Sequence, residues 1–287
     1  MKFIKISFVT IIVFISLFKG NSQDLIPFEK DKLWGYKDAN GNVKIQPQYD
    51  YAEKFIFHYG VVLINDSVGA IDQNNSIVIP IKFEFLRPLD SNEFLFGYRA
   101  KYFGEYLKGI ITIDQKIKIP SIYRDITKRN GCYEVRRQQD SVISGNLRSI
   151  ISSYGLLDGD GQTLIPCEFD YLSWLNDSLL DISKGNNHAL FDKKGKQLTG
   201  FAYLVISKSH EEGLCKVRVG DKYGFIDFDG KVIIPINFDF CEDFKDGFAV
   251  VKQNENWGAI DKNGKIVIET KYKYEEVKRQ LKQKSAI

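Results

Sequence analysis

Two segments place carboxylates ahead of a glycine at the spacing of a cation loop: Asp158-Gly159-Asp160-Gly161 and Asp227-Phe228-Asp229-Gly230. Oxygen ligands two residues apart suit a hard cation such as calcium, yet a complete loop carries a longer ligand series and closes on a glutamate at its twelfth position. Both segments lack that series. Equivalent stretches read Asp192-Lys193-Lys194-Gly195 and Asp261-Lys262-Asn263-Gly264, so turn chemistry explains these residues better than metal ligation. His58, His188 and His210 are far apart, and His210-Glu211-Glu212 lacks the second histidine of a zinc protease motif. The chain carries no G-x-S-x-G and no Gly-rich phosphate loop. Its 37 carboxylates could supply a glycosidase pair, but the required separation of about 5–10 Å is not a property of spacing. No catalytic residue, metal or cofactor is expected.

The residue types suited to recognition lie elsewhere. Tyr98, Arg99, Tyr102, Phe103 and Tyr106 form an aromatic run with interleaved cations, and Arg136 and Arg137 begin a second polar stretch reaching Ile150. Tyr and Arg dominate interface hot spots. These seven residues are the candidate partner-binding set. The competing reading is a pair of extended hairpins with ordinary strand aromatics.

The elements that must position them are set by a repeat. Trp34-Gly35-Tyr36-Lys37-Asp38-Ala39-Asn40-Gly41 returns as Trp257-Gly258-Ala259-Ile260-Asp261-Lys262-Asn263-Gly264, and five worn copies lie between. The anchors are Gly35, Gly69, Gly109, Gly155, Ala189, Gly224 and Gly258, at intervals of 34, 40, 46, 34, 35 and 34 residues. The two candidate runs fall in the two over-long intervals, and insertions in repeat arrays commonly project from the binding face. Fourteen positions after each anchor stands an aromatic: Tyr49, Phe83, Tyr123, Phe169, Tyr203, Phe238 and Tyr272. Aromatics are 14% of the chain, so seven hits at one offset define a register. Those rings are expected to pack between units.

Three positions after the anchor comes Asp38, Asp72, Asp158, Asp192, Asp227 or Asp261, with Thr112 the exception; Gly, Asn75 or Gln115 follows three later. That is hairpin chemistry: the carboxylate accepts turn N–H groups, and the Gly or Asn takes the left-handed conformation. The strand after the turn is rich in β-branched residues and is expected to stop at Pro80, Pro120, Pro166 or Pro235, because proline cannot donate to a ladder. An aromatic connection then leads into a third β-type run. The expected architecture is all-β: a tandem array of about seven three-stranded antiparallel β-meander repeats, each too small to bury a core without its neighbours. Room for three strands and unequal intervals favour an open curved or superhelical solenoid over a closed seven-bladed propeller.

These units resemble the WG-containing repeat, also called the KWG repeat, of bacterial proteins. Gly224-Phe225-Ile226-Asp227-Phe228-Asp229-Gly230-Lys231-Val232-Ile233-Ile234-Pro235 carries the motif best, continuing into the aromatic Phe238 and the acid Asp239. The resemblance implies a repeat architecture and no particular activity. Only Trp34 and Trp257 keep the tryptophan, and unit five has lost both the glycine and the proline, with Ala189 and Gly200 in their places. Full motifs in the end units are unexpected, since terminal repeats are normally atypical.

Residues 1–22 read as a secretory signal: Lys2 and Lys5 precede an apolar Phe8–Phe18 segment too short to span a bilayer, and Gly20 and Ser22 flank a cleavage point before Gln23. Residues 23–32 then form a lead-in, 33–274 the array, and 275–287 a basic tail or short capping helix, with Tyr274 to Gln283 the helical stretch. Removing Lys2, Lys5 and Lys19 leaves 37 basic against 37 acidic residues. That balance gives no footprint for nucleic acid. Cys132, Cys167, Cys215 and Cys241 occupy different repeat positions without a CxxC; they are expected as small buried hydrophobes, although an exported chain permits one disulfide. The expectation is a periplasmic or extracellular, non-enzymatic protein without a membrane span in its mature form. It presents its surface to a protein or an envelope polymer. The alternative is a carbohydrate-active module using exposed aromatics.

Overall fold

The structure is a computed structural model describing residues 25–100, 106–144, 147–207 and 213–284, with side chains outside 140–150. The expected signal segment, 1–22, lies outside the described residues. These form 26 strands and one helix, and no described helix is long and apolar enough to cross a membrane. The strands make seven antiparallel sheets in chain order, spanning residues 26–49, 51–83, 85–123, 125–169, 171–192, 205–238 and 240–272 and numbered 1 to 7 below. Every sheet but the fifth contains the expected three-stranded meander; sheet 5 has the leading-edge strand Tyr171–Trp174 and lacks the strand after the turn. Sheets 2, 3, 4, 6 and 7 add a fourth strand at the leading edge, in the segment expected as an irregular connection. Such strands are as short as Tyr51–Ala52 and Phe240–Cys241, too short to carry a period-two pattern.

The repeat motif is a set of backbone devices. In sheet 7 the Trp-Gly dipeptide lies in the Asn256–Asp261 strand, and Asp261 closes the turn: its Oδ1 accepts the N–H groups of Asn263 and Lys265, both at 2.9 Å. Asp38, Asp72, Asp158, Asp192 and Asp227 do the same. The residue three later has positive φ in each case, from 67° at Asn75 to 86° at Gly41 and Gly230. The acid after the offset-fourteen ring is structural as well. Asp50, Asp170 and Asp239 accept the N–H of Asn65, Gly185 and Asn254 at 2.7, 2.6 and 2.8 Å, holding the next tight turn.

The glycine of the motif is explained by a bulge. Lys108 pairs with Tyr123, and Ile110 with Ile119; the partner strand advances four residues while the anchor strand advances two. The extra residues lean over the anchor. A Cβ on Gly109 would lie 2.4 Å from the Ile119 carbonyl oxygen and 2.8 Å from the Pro120 carbonyl carbon. The same step recurs at Tyr154, Tyr223 and Trp257. The expected strand ends at proline are corrected here: Pro80, Pro120, Pro166 and Pro235 lie inside strands. Where the pairing is given, for Pro120, Pro166 and Pro235, the proline lies in the bulge, where no ladder N–H is required. Sheet 5 shows the converse. Ala189 puts a methyl where the bulge would press, and the returning strand is reduced to isolated bridges, His188 to Tyr203 and Phe191 to Gln197.

The chain divides into two compact units, Met1–Lys82 and Phe83–Ile287. In the first, Tyr36, Ile45 and Tyr49 of sheet 1 share a core with Ala52, Val62 and Ile71 of sheet 2. In the second, each sheet from 3 to 7 shares a core with the next, as where Ile165 and Phe169 meet Leu172 and Leu180. Six of the seven offset-fourteen rings are buried; Tyr272 is half-buried. Beyond it the Tyr274–Lys284 helix covers the last sheet with Val277. Acidic residues in its first turn and basic ones in its last suit the helix dipole. A helix is therefore the C-terminal cap, which leaves unit seven free to keep a full motif. The four cysteines are free thiols, three of them buried.

Candidate functional site: a ridge of rings and charges

Two repeat positions stay at the margin of the core, and within each compact unit several of them meet. One is the residue before the anchor: Trp34, Val68, Lys108, Tyr154, His188, Tyr223 or Trp257. The other lies sixteen after the anchor: Tyr51, Phe85, Asp125, Tyr171, Val205, Phe240 or Tyr274. At the C-terminal end they form a continuous file of rings, Tyr223 to Phe240 at 5.7 Å, Phe240 to Trp257 at 5.8 Å and Trp257 to Tyr274 at 5.0 Å, all edge-to-face. Cations lie over three of them: Arg218 over Tyr223, Lys252 over Trp257 and Lys278 over Tyr274. Glu242 anchors the end, accepting from the Tyr274 hydroxyl at 2.6 Å and the Lys278 ammonium at 2.9 Å. Within the first unit Trp34 and Tyr51 repeat the pairing at 5.1 Å.

Sheets 3 and 4 replace rings by charges. The Lys108 Nζ lies 2.8 Å from Asp125 Oδ1, and Arg136 donates to Asp125 Oδ2 through Nε at 3.0 Å and through an NH2 group. Burial acts to raise the Asp125 carboxyl, but the hydrogen bonds from Lys108 and Arg136 outweigh it and hold the group below its ordinary range. With aspartate at this position, Tyr154 has no neighbouring ring of the kind Phe240 gives Trp257. The space is a half-open pocket of about 90 Å³ lined by Asp125, Thr127, Glu134, Arg136, Tyr154 and Leu172, with Val135 and Gly155.

A second polar group lies behind the same two sheets. The Glu93 side chain is 3% exposed. It accepts from Lys118 at 2.5 Å, Lys128 at 2.8 Å and the Tyr133 hydroxyl at 2.7 and 2.6 Å. Burial opposes ionisation of Glu93, yet these donors hold its carboxyl below the ordinary range. The cluster explains why unit three alone lacks the turn aspartate. Leu179, Leu214 and Phe248 stand opposite Asp192, Asp227 and Asp261, whereas Glu93 stands opposite Thr112. Two carboxylates directly opposed across strands would repel.

His188, at the pre-anchor position of sheet 5, meets the buried Asp181 carboxylate through Nδ1 at 2.8 Å and the Tyr171 ring at 6.0 Å. Burial raises the Asp181 carboxyl, and His188 partly offsets this. Among the described residues no group of three or more His, Cys, Asp or Glu is arranged to hold a metal ion.

The described members of the expected binding set lie on two sheets, Tyr98, Arg99 and Tyr106 in sheet 3 and Arg136 and Arg137 in sheet 4. Tyr98 and Arg99 end the Glu93–Arg99 strand, and Tyr106 opens the next, paired with Arg99. Tyr98 is 42% exposed and meets Phe96; Tyr106 stacks on Phe85 at 5.3 Å; the Arg99 N–H donates to Glu84. Tyr102 and Phe103 lie outside the described residues. Arg136 and Arg137 stand in the long Cys132–Ser144 strand, where neighbours face opposite ways: Arg136 toward Asp125, Arg137 over the Tyr123 ring at 5.1 Å. Lys108, Asp125 and Tyr154 were absent from the expected set. The signal for Asp125 is the offset of sixteen, where aspartate interrupts a mostly aromatic series; Lys108 and Tyr154 stand at the position before the anchor.

The profile of the family described as WG containing repeat matches residues 34–65, 69–96, 154–187, 223–257 and 257–274. No curated protein matches the chain. Among solved structures it is similar to one titled a crystal structure of the eukaryotic initiation factor, at 11% identity and a TM-score of 0.36, covering 86% of this chain and 75% of that one. It is also similar to a protein of unknown function from Bacteroides caccae, at 13% identity and a TM-score of 0.20, covering 71% and 89%. Scores this low carry no weight for fold or function.

Proposed function

Because the chain belongs to the WG containing repeat family, whose motif residues here are occupied in turns, bulges and caps, we propose that it is a binding protein without catalytic activity. The ridge is its contact surface, and its partner is a protein or an envelope polymer. One observation carries the reading. The motif positions that build the sheets repeat nearly unchanged, while the two outward positions vary among rings, charges, a histidine and two valines, Val68 and Val205. A constant frame bearing a varied surface suits recognition; catalysis needs one asymmetric constellation. The chain is exported through residues 1–22 and acts in the periplasm or outside the cell.

The test is a pull-down from envelope extract with the chain starting at Gln23. A Phe240→Ala/Trp257→Ala chain and a Tyr98→Ala/Tyr102→Ala/Tyr106→Ala chain run beside it. A partner kept by wild type and lost by the ridge variant supports the reading. Equal retention by all three takes the contact off the ridge, and turnover of a defined substrate overturns the non-enzymatic assignment. Export predicts that chain recovered from the cell envelope begins at Gln23; an intact Met1 there would contradict it.

A further inference from the structure

Three Asn-Gly dipeptides occur in the chain: Asn40-Gly41, Asn130-Gly131 and Asn263-Gly264. This dipeptide is prone to spontaneous deamidation, because glycine has no side chain to hinder attack by its own nitrogen on the asparagine amide. In a folded protein the attack waits on local opening of the backbone, so the hydrogen bonds within each turn rank the three. Asn40 and Asn263 stand inside the repeat turns. The Gly41 N–H donates to the Asp38 carbonyl at 3.0 Å and the Gly264 N–H to the Asp261 carbonyl at 2.9 Å, so each attacking nitrogen is already engaged. The turn carboxylates hold the rest. Asp38 accepts from the N–H groups of Asn40 and Asn42 and from the Asn42 side chain, and Asp261 accepts from the N–H groups of Asn263 and Lys265. Asn130-Gly131 is instead the tip between the strands Asp125–Arg129 and Cys132–Ser144, a two-residue turn closed by the Arg129–Cys132 pair. Both residues are exposed, with φ of 52° and 77°. Among the described residues neither the Asn130 side chain nor the Gly131 N–H has a hydrogen-bond partner.

We infer that Asn130 is a site of spontaneous deamidation in the folded protein, and that the repeat turns protect Asn40 and Asn263 from the same reaction. Once the Arg129–Cys132 pair opens, the Gly131 nitrogen attacks the Asn130 Cγ. The bond from that nitrogen to Cγ forms, the bond from Cγ to Nδ2 breaks, and ammonia leaves with the proton that Gly131 gives up. Water then opens the cyclic imide at one carbonyl or the other, giving aspartate or isoaspartate. The isoaspartate product lengthens the backbone by a methylene in a turn that held two residues. The next pair inward is Lys128 with Tyr133, and both side chains donate to Glu93. Slippage at the tip therefore loosens the cluster that joins sheets 3 and 4.

The experiment incubates the purified chain at mildly alkaline pH, folded and in urea, and follows the three asparagines by peptide mass mapping. The expected result is that Asn130 converts about ten-fold or more faster than Asn40 and Asn263 in the folded chain, since their turns must break at least two more hydrogen bonds to open. In urea the three rates draw together. Asp38→Ala and Asp261→Ala should each speed conversion at the asparagine of their own turn and leave Asn130 as it was, with melting temperatures to show that they stay folded. The isoaspartate form, separated by chromatography, should melt below the unmodified chain. Asn130 converting no faster than the other two in the folded chain overturns the inference. So does the same order of rates in urea, which would place the cause in the neighbouring residues, or folded turn variants with unchanged rates. An isoaspartate form that melts with the unmodified chain would overturn the coupling to Glu93.

Discussion

Sheets 3 and 7 share one frame and carry opposite ridges. In both, a residue before the anchor pairs across the bulge with a ring, Lys108 with Tyr123 and Trp257 with Tyr272. In both, an outward side chain sixteen positions after the anchor meets the pre-anchor side chain. Sheet 7 makes that contact with Trp257 and Tyr274; sheet 3 makes it with Lys108 and Asp125. The difference teaches where the repeat is constrained. Positions facing a neighbouring sheet must be apolar, and positions at the turn and bulge must satisfy the backbone. The ridge positions need only contact one another, by ring edge or by charge.

The charged region has a deeper anchor than the aromatic one, and this sets the largest expected effect. Glu93→Ala leaves Lys118 and Lys128 without their shared carboxylate between sheets 3 and 4, and should cost about 3–5 kcal/mol in urea unfolding. The pH dependence has a defined sign. The folded Glu93 carboxyl lies below its ordinary value of 4.5, so the native state favours its ionised form. That stabilisation is complete above the unfolded value and is lost as pH falls through the folded one. Glu93→Gln should therefore be less stable than wild type at neutral pH, and the gap should close in acid. A gap that stays constant into acid would mean that Glu93 is not held by its lysines.

The shared frame predicts equality where the ridges predict difference. Tyr123 and Phe238 occupy the same offset at 6% and 8% exposure. Truncating either to alanine removes a ring from between two sheets and should cost about 3–5 kcal/mol. A loss under about 1 kcal/mol at one site alone would show that the two regions differ in their cores as well as on their surfaces.

Much of that frame was legible from residue types because it is local. An aspartate and a glycine three apart fix a turn within their own segment, and the offset of fourteen follows from the length of one hairpin. The prolines misled because a strand end and a bulge both remove the need for an N–H; only the pairing of Ile119 and Tyr123 with Ile110 and Lys108 separates them. The site was less legible for the same reason. Glu93 meets partners 25, 35 and 40 residues along the chain, and Asp125 meets Lys108 and Arg136 only through the register of two sheets. Tyr98 and Tyr106 stood out by density, yet each packs on its own neighbour, Phe96 or Phe85.

On the aromatic side, Trp257→Ala should cost about 1–3 kcal/mol, since the ring has two edge-to-face partners, Phe240 and Tyr274, each worth about 0.5–1.5 kcal/mol beyond burial. The loss should be insensitive to sodium chloride. A loss that shrinks with salt would mean that the cations over the file, and not the rings, hold that end of the ridge.

The smallest effect is the most telling for the ridge. Asp125→Asn removes the charge that answers Lys108 and Arg136, whose side chains are 23% and 29% exposed while that of Asp125 is 43% exposed. Partners this wet exchange one another for water at little net cost, so the expected loss is under about 1 kcal/mol. It should fall further at high salt, where screening shortens from about 10 Å at 0.1 M to about 3 Å at 1 M. Urea unfolding at the two salt concentrations, with Trp257→Ala alongside, measures both. A loss above about 2 kcal/mol that ignores salt would place Asp125 among the structural charges with Glu93. Its carboxylate could not then turn from Arg136 toward a ligand, and the middle of the ridge would belong to the fold instead of to a partner.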